Sequence, residues 1–386
     1  MAAEVNARRL AACLDGVQVL ELGSTIAGPS ATRHLADLGA TVWKVEPPGG
    51  DQLRTWGTLA PDGSSFWFKS HNRGKRLLSF DLRREADAAA VRRLALTVDI
   101  VVENFRPGWL AACGLDAKSL RAEKPTLIYV SISGYGQDGP LSAQPGYGAI
   151  AESMGGFRHI TGEPDGPPMR MGISIADELS GLNAALAALA ALHARDRDGV
   201  GETIDISLVE SAFSMLESVL SEYAHAGKVT GRSGNRLTTA APSNVYPTAD
   251  GQWIAIAGNG EGIFRRLAAA MGKPELATDP RFENNAVRVT NMAPLDAAIA
   301  RWTQTLPLEE LVAVLGAAGV PAGPILAIDA IVAHPHLQAR QAVRTLGDDR
   351  GTEVATYGPV PHLTERPIVF GLAAGAVGRD QDLLVP

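Results

Sequence analysis

GVQVLELGSTIAGPSATRHLADLGATVWKVE, residues 16–46, decides the fold. Residues 17–22 are a short apolar run, 23–29 a turn, 30–38 a helical pattern and 41–45 a second apolar run. Strand, turn, helix and strand in this order make a βαβ unit, whose two strands lie parallel. The turn GSTIAGP contains neither G-x-G-x-x-G nor the Gly-Lys-Ser/Thr ending of a phosphate loop, which argues against NAD and ATP.

The alternation continues downstream. Apolar runs at 77–82, 100–103 and 127–132 are separated by helical patterns at 85–96 and 117–122. This predicts an α/β fold with a doubly wound, mainly parallel, Rossmann-like sheet. Ligands of such sheets bind beyond the carboxyl ends of the strands. Those ends carry Ser24 and Thr25, Glu46, Asp81 and Arg83, Asn104 and Phe105, and Ser133, Gly134 and Tyr135.

Two further stretches bear on chemistry. KSHNRGKR, residues 69–76, holds Lys69, Arg73, Lys75 and Arg76. Such a run is either a solvated loop or, with Arg73, Lys75 and Arg76 around Gly74, a clasp for a phosphate that Arg83 and Arg106 join. GISIADELSG, residues 172–181, places Asp177 where an apolar run passes into a helix with Leu179, Leu182, Leu186, Leu189 and Leu192 at spacings of three and four. Asp177 either caps that helix or faces a ligand, and the flanking Gly172 and Gly181 allow other backbone to approach.

Beyond residue 199 the pattern reads as a turn and strand (199–208), a long helix (209–223) and a compositional shift at 227–242 that marks a crossing into another domain. Asp250-Gly251 between apolar runs signals a hairpin, helical patterns fill 263–271, 295–303 and 308–319, and 343–370 returns to short strands broken by prolines. A length of 386 residues favours two domains, and a formal charge of -7 argues against a general nucleic-acid binder. Two cysteines, Cys13 and Cys113, make no disulfide framework, and no Cys/His spacing points to a metal site. The first sixteen residues have mixed charge and no apolar core of signal length, so a cytoplasmic protein outside membranes is expected.

Several stretches, in order and spacing, carry a family resemblance over nearly the whole chain: residues 16–51, NRGKRLLSFDLR, VVENFRPGWL, SISGYGQDGP, the Asp177 segment, DPRFENNAVRV and GVPAGPI. The chain resembles the class III CoA-transferases, the family of formyl-CoA, carnitine CoA and bile-acid-inducible protein F type enzymes. The resemblance implies a large domain built from both chain ends (1–225 and 311–386, with linkers), a smaller α+β domain (226–310), and a homodimer of interlocked chains. It implies acyl-CoA and a carboxylic acid as substrates, Asp177 as nucleophile, and no metal. CoA contacts carry over onto Ile26, Ala27, Arg83, Asn104, Phe105, Arg106, Ser133, Gly134 and Tyr135. A glycine loop over the site carries over onto Gly258, Asn259 and Gly260, and the acid pocket includes Tyr147.

Three positions depart from the family pattern. Ile26 stands where the oxalate enzymes have a glutamine, which argues for another acid; Ala112 replaces an arginine; and Gly148 lies where an acidic residue is usual. Two alternatives stay open: an α-methylacyl-CoA racemase, whose His-Asp pair is here Tyr147-Gly148, and a CoA-binding scaffold in which Asp177 merely caps its helix.

Overall fold

A computed structural model describes residues 10–358 and 360–384. Their contacts gather into two compact units. The first takes the chain up to Phe157, Arg170–Lys228 and the stretch from Pro335 onward; the second takes Arg158–Met169 and Val229–His334.

In the first unit β1 (Gln18–Glu21), β2 (Thr41–Glu46), β3 (Arg76–Ser79), β4 (Ile100–Glu103), β5 (Ile128–Ser133) and β6 (Thr203–Ser207) form one parallel sheet, ordered β3-β2-β1-β4-β5-β6. The helices follow as α1 (Ala27–Asp37), α2 (Phe66–His71), α3 (Glu85–Ala95), α4 (Trp109–Ala112), α5 (Ala117–Glu123) and α6 (Gly148–Met154). After the one-turn α7 (Phe157–Ile160), which passes into the second unit at Arg158, come α8 (Ile175–Asp198), α9 (Leu208–Phe213) and α10 (Val219–Ala226). The helix expected over 209–223 is thus two, because Glu217 takes a left-handed φ of 51° that helical geometry does not tolerate.

Both faces of the sheet are covered, as the near-continuous apolar runs of its strands require. Val19, Val42, Ile100, Val102, Ile128 and Val130 point to one face, where Ala31 and Leu35 of α1 and Ala184 and Ala188 of α8 pack on them. Leu20, Trp43, Leu78, Val101 and Tyr129 point to the other, against Val91 and Ala95 of α3 and Leu120 of α5. Neighbouring residues of a strand fall in opposite clusters, as the period of two dictates.

Of the leucines that mark α8 in the sequence, Leu192 is buried and Leu189 packs partly on the core, but Leu182 and Leu186 lie off the buried face. Ala176, Ser180, Gly181, Ala184, Ala185, Ala188 and Ala191 are buried, while Leu182 is 51% and Leu186 66% exposed. Small residues let α8 lie close on α1: a Cβ at Gly181 would stand 2.7 Å from Ser30 Cβ and 2.9 Å from the Ala27 carbonyl oxygen. By length and composition α8 is apolar enough to cross a membrane, but its alanine face is spent on α1. Gly199, at φ 72°, ends it.

From residue 335 the chain adds the antiparallel pair β10 (Val343–Gly347) and β11 (Glu353–Tyr357), and then runs irregularly, with Ala373 N–H donating to Gly347 and Val369 N–H to Asp37.

The second unit holds an antiparallel sheet of β7 (Ser243–Pro247), β8 (Trp253–Ala257) and β9 (Ala322–Pro324), ordered β7-β8-β9. Its helices are α11 (Glu261–Ala270), α12 (Asn285–Thr290), α13 (Met292–Thr303) and α14 (Leu308–Ala317). Tyr246, Ile254, Ile256, Phe264, Leu267 and Ile299 are among its core. Residues 311–334, grouped by sequence with the C-terminal part, cluster here because β9 pairs with β8 and Leu311 and Leu315 of α14 enter this core.

Candidate active site

The strand order reverses between β1 and β4, and the splayed loops at such a point leave a crevice beyond the strand ends. A cavity of about 370 Å³ opens there. Its walls are the β1–α1 turn, the 45–52 loop after β2, the ends of β4 and β5, the 142–147 loop before α6, and Asp177.

Asp177 is the third residue of α8, and it is not the cap. Ser174 occupies the flanking position and no side chain caps the helix. The Asp177 carboxylate instead lies against α6: a Cβ on Gly148 would meet its Oδ2 at 1.8 Å. A side chain at 148 would displace the carboxylate from this position, so Gly148, standing where the family pattern has an acidic residue, makes room for it. Burial raises the Asp177 pKa to about 7, the charges of Glu178 and Glu152 push the same way, and Arg170 opposes them. The neighbouring Glu178 turns the other way, accepting from Ser30 Oγ at 2.6 Å and standing 3.7 Å from Arg33. It joins the first turn of α8 to α1.

Several residues anticipated from sequence do meet in this cavity: Ala27, Asn104, Phe105 and Arg106, Ser133 and Gly134, and Tyr147. Phe105 stacks on Trp109 with ring centroids 4.5 Å apart, and Arg106 is exposed at the rim. The Ser133 hydroxyl is buried without a protein partner. Ile26 is buried beside the cavity and does not line it; its carbonyl accepts from His71. Tyr135 also stays out of the lining.

The basic run behaves differently from a phosphate clasp. Arg73 is 2% exposed, with its Nε donating to Asp37 at 3.0 Å, and Lys75 is 1% exposed, with its Nζ donating to Glu21 at 2.7 Å. Both are consumed by internal carboxylates, because α2 turns this segment inward before β3. Arg76 lies over Trp43 and Arg83 pairs with Asp81, both outside the cavity. The 258–260 segment belongs to the second unit, where Asn259 accepts from the buried Arg288 and Gly260 precedes α11.

Asp51 was overlooked. It lines the cavity, is 3% exposed, and accepts from the Thr25 N–H and from Lys44. The signal was PPGGD, whose proline and glycines deliver the aspartate to a turn. Among the described residues no group of three or more His, Cys, Asp or Glu is placed to hold a metal ion.

Comparison with known proteins gives these features a context. The family model described as CoA-transferase family III matches residues 14–381. The chain is 46% identical to the succinyl-CoA–D-citramalate CoA-transferase of Chloroflexus aurantiacus, over 92% of this chain and 88% of that protein. It is 38% identical to the succinate–glutarate CoA-transferase of Agrobacterium fabrum, over 95% and 94%. A crystal structure of a CAIB/BAIF family protein from Brucella suis superposes with a TM-score of 0.86 at 36% identity, covering 97% of this chain and 99% of that one.

Proposed function

The chain belongs to CoA-transferase family III and exchanges CoA between an acyl-CoA and a carboxylic acid; we propose that it does so through covalent intermediates on Asp177. The observation that carries this reading is the placement of Asp177: a half-buried carboxylate, not engaged in capping its helix, on the wall of the cavity at the strand-order reversal. A carboxylate is a weak nucleophile in water and a stronger one where hydration is replaced by a closed site.

The steps balance without an external reagent. The ionised Asp177 attacks the thioester carbonyl, the C–S bond breaks, and the CoA thiolate leaves behind a mixed anhydride. The thiolate then attacks the aspartyl carbonyl, expelling the donor carboxylate and forming an Asp177-CoA thioester. The acceptor carboxylate attacks this thioester, and the released thiolate takes the acceptor acyl group from the second anhydride, restoring Asp177. Each tetrahedral intermediate bears an oxyanion, and the first N–H groups of α1, at Ala27 and Gly28, have no acceptor within their own helix. Ala27 lines the same cavity as Asp177. Asn104, Phe105, Arg106, Ser133 and Gly134 are assigned to CoA, and Tyr147 to the acid.

Relatives named for succinyl-CoA or succinate with D-citramalate, glutarate, L-malate or mesaconate make succinyl-CoA the proposed donor and a dicarboxylic acid larger than oxalate the acceptor. We further assign a homodimer, supported by the exposed apolar side chains of Ile150, Met154, Leu182 and Leu186 on α6 and α8, and a cytoplasmic location. The test is to incubate enzyme with succinyl-CoA and a panel of D-citramalate, glutarate, malate, mesaconate and oxalate, reading new acyl-CoA by mass. Asp177→Ala should abolish every transfer; transfer by that variant removes the assignment.

A further inference from the structure

The β1–α1 turn is tied down residue by residue from beneath. Lys44 Nζ donates to the Gly23 carbonyl at 2.9 Å. Asn104 accepts from Ser24 N–H at 2.8 Å and donates to the Ser24 carbonyl at 2.9 Å. Both carboxylate oxygens of Asp51 lie 3.1 Å from the Thr25 nitrogen and accept from it. His71 Nε2 stands 3.1 Å from the Ile26 carbonyl, and Lys75 Nζ donates to the Pro29 carbonyl at 2.8 Å.

The middle of this turn is strained. Thr25 has φ 60°, a left-handed conformation that a β-branched residue adopts rarely and holds only where its surroundings enforce it. Asp51 is the side chain that receives the Thr25 N–H, and Asp51 is itself fixed. Lys44 Nζ lies 3.0 Å from Asp51 and 2.7 Å from Glu21, its register partner on β1, and Glu21 receives Lys75 on its other oxygen at 2.7 Å. All four charged groups are at most 3% exposed. Two residues after Thr25 begins the first turn of α1, which Gly181 and the Ser30–Glu178 hydrogen bond clamp to the turn of α8 bearing Asp177.

We propose that Asp51, braced by Lys44, is a positioning residue for CoA transfer: it holds Thr25 in the left-handed conformation and thereby sets the first-turn N–H groups of α1 against the acyl carbonyl attacked by Asp177. The inference rests on the covalent reading of Asp177 and adds to it the device that aims the oxyanion donors. In this role Asp51 acts through Thr25.

The experiment compares Asp51→Ala, Thr25→Gly and the double variant by steady-state transfer, with melting temperature as a control. Asp51→Ala should lower kcat about 10- to 100-fold, less than the ~100- to 1000-fold seen when an oxyanion donor is deleted outright, with the acyl-CoA KM changed by less than about threefold. Thr25→Gly in that background should recover about tenfold in kcat, since glycine takes positive φ without enforcement. A loss confined to melting temperature or KM overturns the inference, as does a fall in kcat that Thr25→Gly fails to recover. Should Asp51→Ala not fold, the same comparison is made in Asp51→Asn, which keeps one acceptor oxygen; Thr25→Gly must raise kcat there too. Failure of the covalent reading is seen separately, as absence of an Asp177 adduct in the wild-type enzyme, whereas an Asp177 adduct forming at wild-type rate in Asp51→Ala would remove only the positioning role.

Discussion

Gly148→Ala adds one methyl group at the point where the Asp177 carboxylate rests. That Cβ would lie 1.8 Å from Oδ2 and 2.8 Å from Cγ, distances real atoms do not share, so the carboxylate must withdraw by at least ~1 Å. A displacement of that size at a reacting group costs about 100-fold in rate, or about 2.7 kcal/mol of transition-state stabilisation. The backbone contributes no penalty, because Gly148 lies outside the left-handed region and opens α6, where alanine is accommodated without strain. The signature is therefore a kcat about 100-fold lower with the melting temperature held or raised and the dissociation constant for free CoA unchanged. Steady-state kinetics, calorimetric titration with CoA and a thermal melt read the three quantities. Wild-type kcat in this variant would refute the placement of the reacting carboxylate against α6.

Four further outcomes are expected. Asp177 must be ionised to attack, so kcat/KM should climb as pH rises through about 7 and then level; a flat profile from pH 5 to 8 would contradict Asp177 as the nucleophile. Its unfolded counterpart titrates near ~4, so between about 4 and 7 the folded state keeps a proton the unfolded state has lost, and Asp177 makes stability fall with rising pH. Urea titrations at pH 5 and pH 8 should accordingly show Asp177→Asn gaining on the wild type at the higher pH. Arg73→Ala should cost about 2 kcal/mol by removing the nearer cation of Asp37, Arg33 remaining 3.9 Å away, and leave the salt dependence of the acyl-CoA KM intact; a raised KM with flattened salt dependence would restore the phosphate clasp. Analytical ultracentrifugation at nanomolar concentration should find a dimer that dilution does not dissociate, and a folded monomer would exclude interlocked chains.

The parallel sheet was legible because its strands are apolar on both faces and its helices intervene at regular intervals, a pattern few other folds produce. Strands expected at 100–103 and 127–132 appear as Ile100–Glu103 and Ile128–Ser133. Periodicity misled on α8. Leucines at spacings of three and four look like a core stripe, and Leu192 does enter the core, but the face against α1 is built of small residues, because close approach to α1 leaves no volume for larger side chains. The basic run misled for a different reason. A charge in a sequence carries no sign of its partner, and Arg73 and Lys75 find theirs at Asp37 and Glu21, on distant elements of the same unit. For Asp51 the sequence PPGGD indicates a turn but not the partner, because the Thr25 N–H it binds belongs to a loop 26 residues earlier.

The covalent role of Asp177 is tested most directly by trapping. Enzyme incubated with succinyl-CoA is quenched with hydroxylamine, digested, and the peptide spanning 172–195 is weighed. The account predicts a hydroxamate on Asp177 that needs acyl-CoA for its formation and is absent when Asp177→Asn is treated alike. An unmodified Asp177 in enzyme that is turning over, or an adduct on another residue, would contradict it.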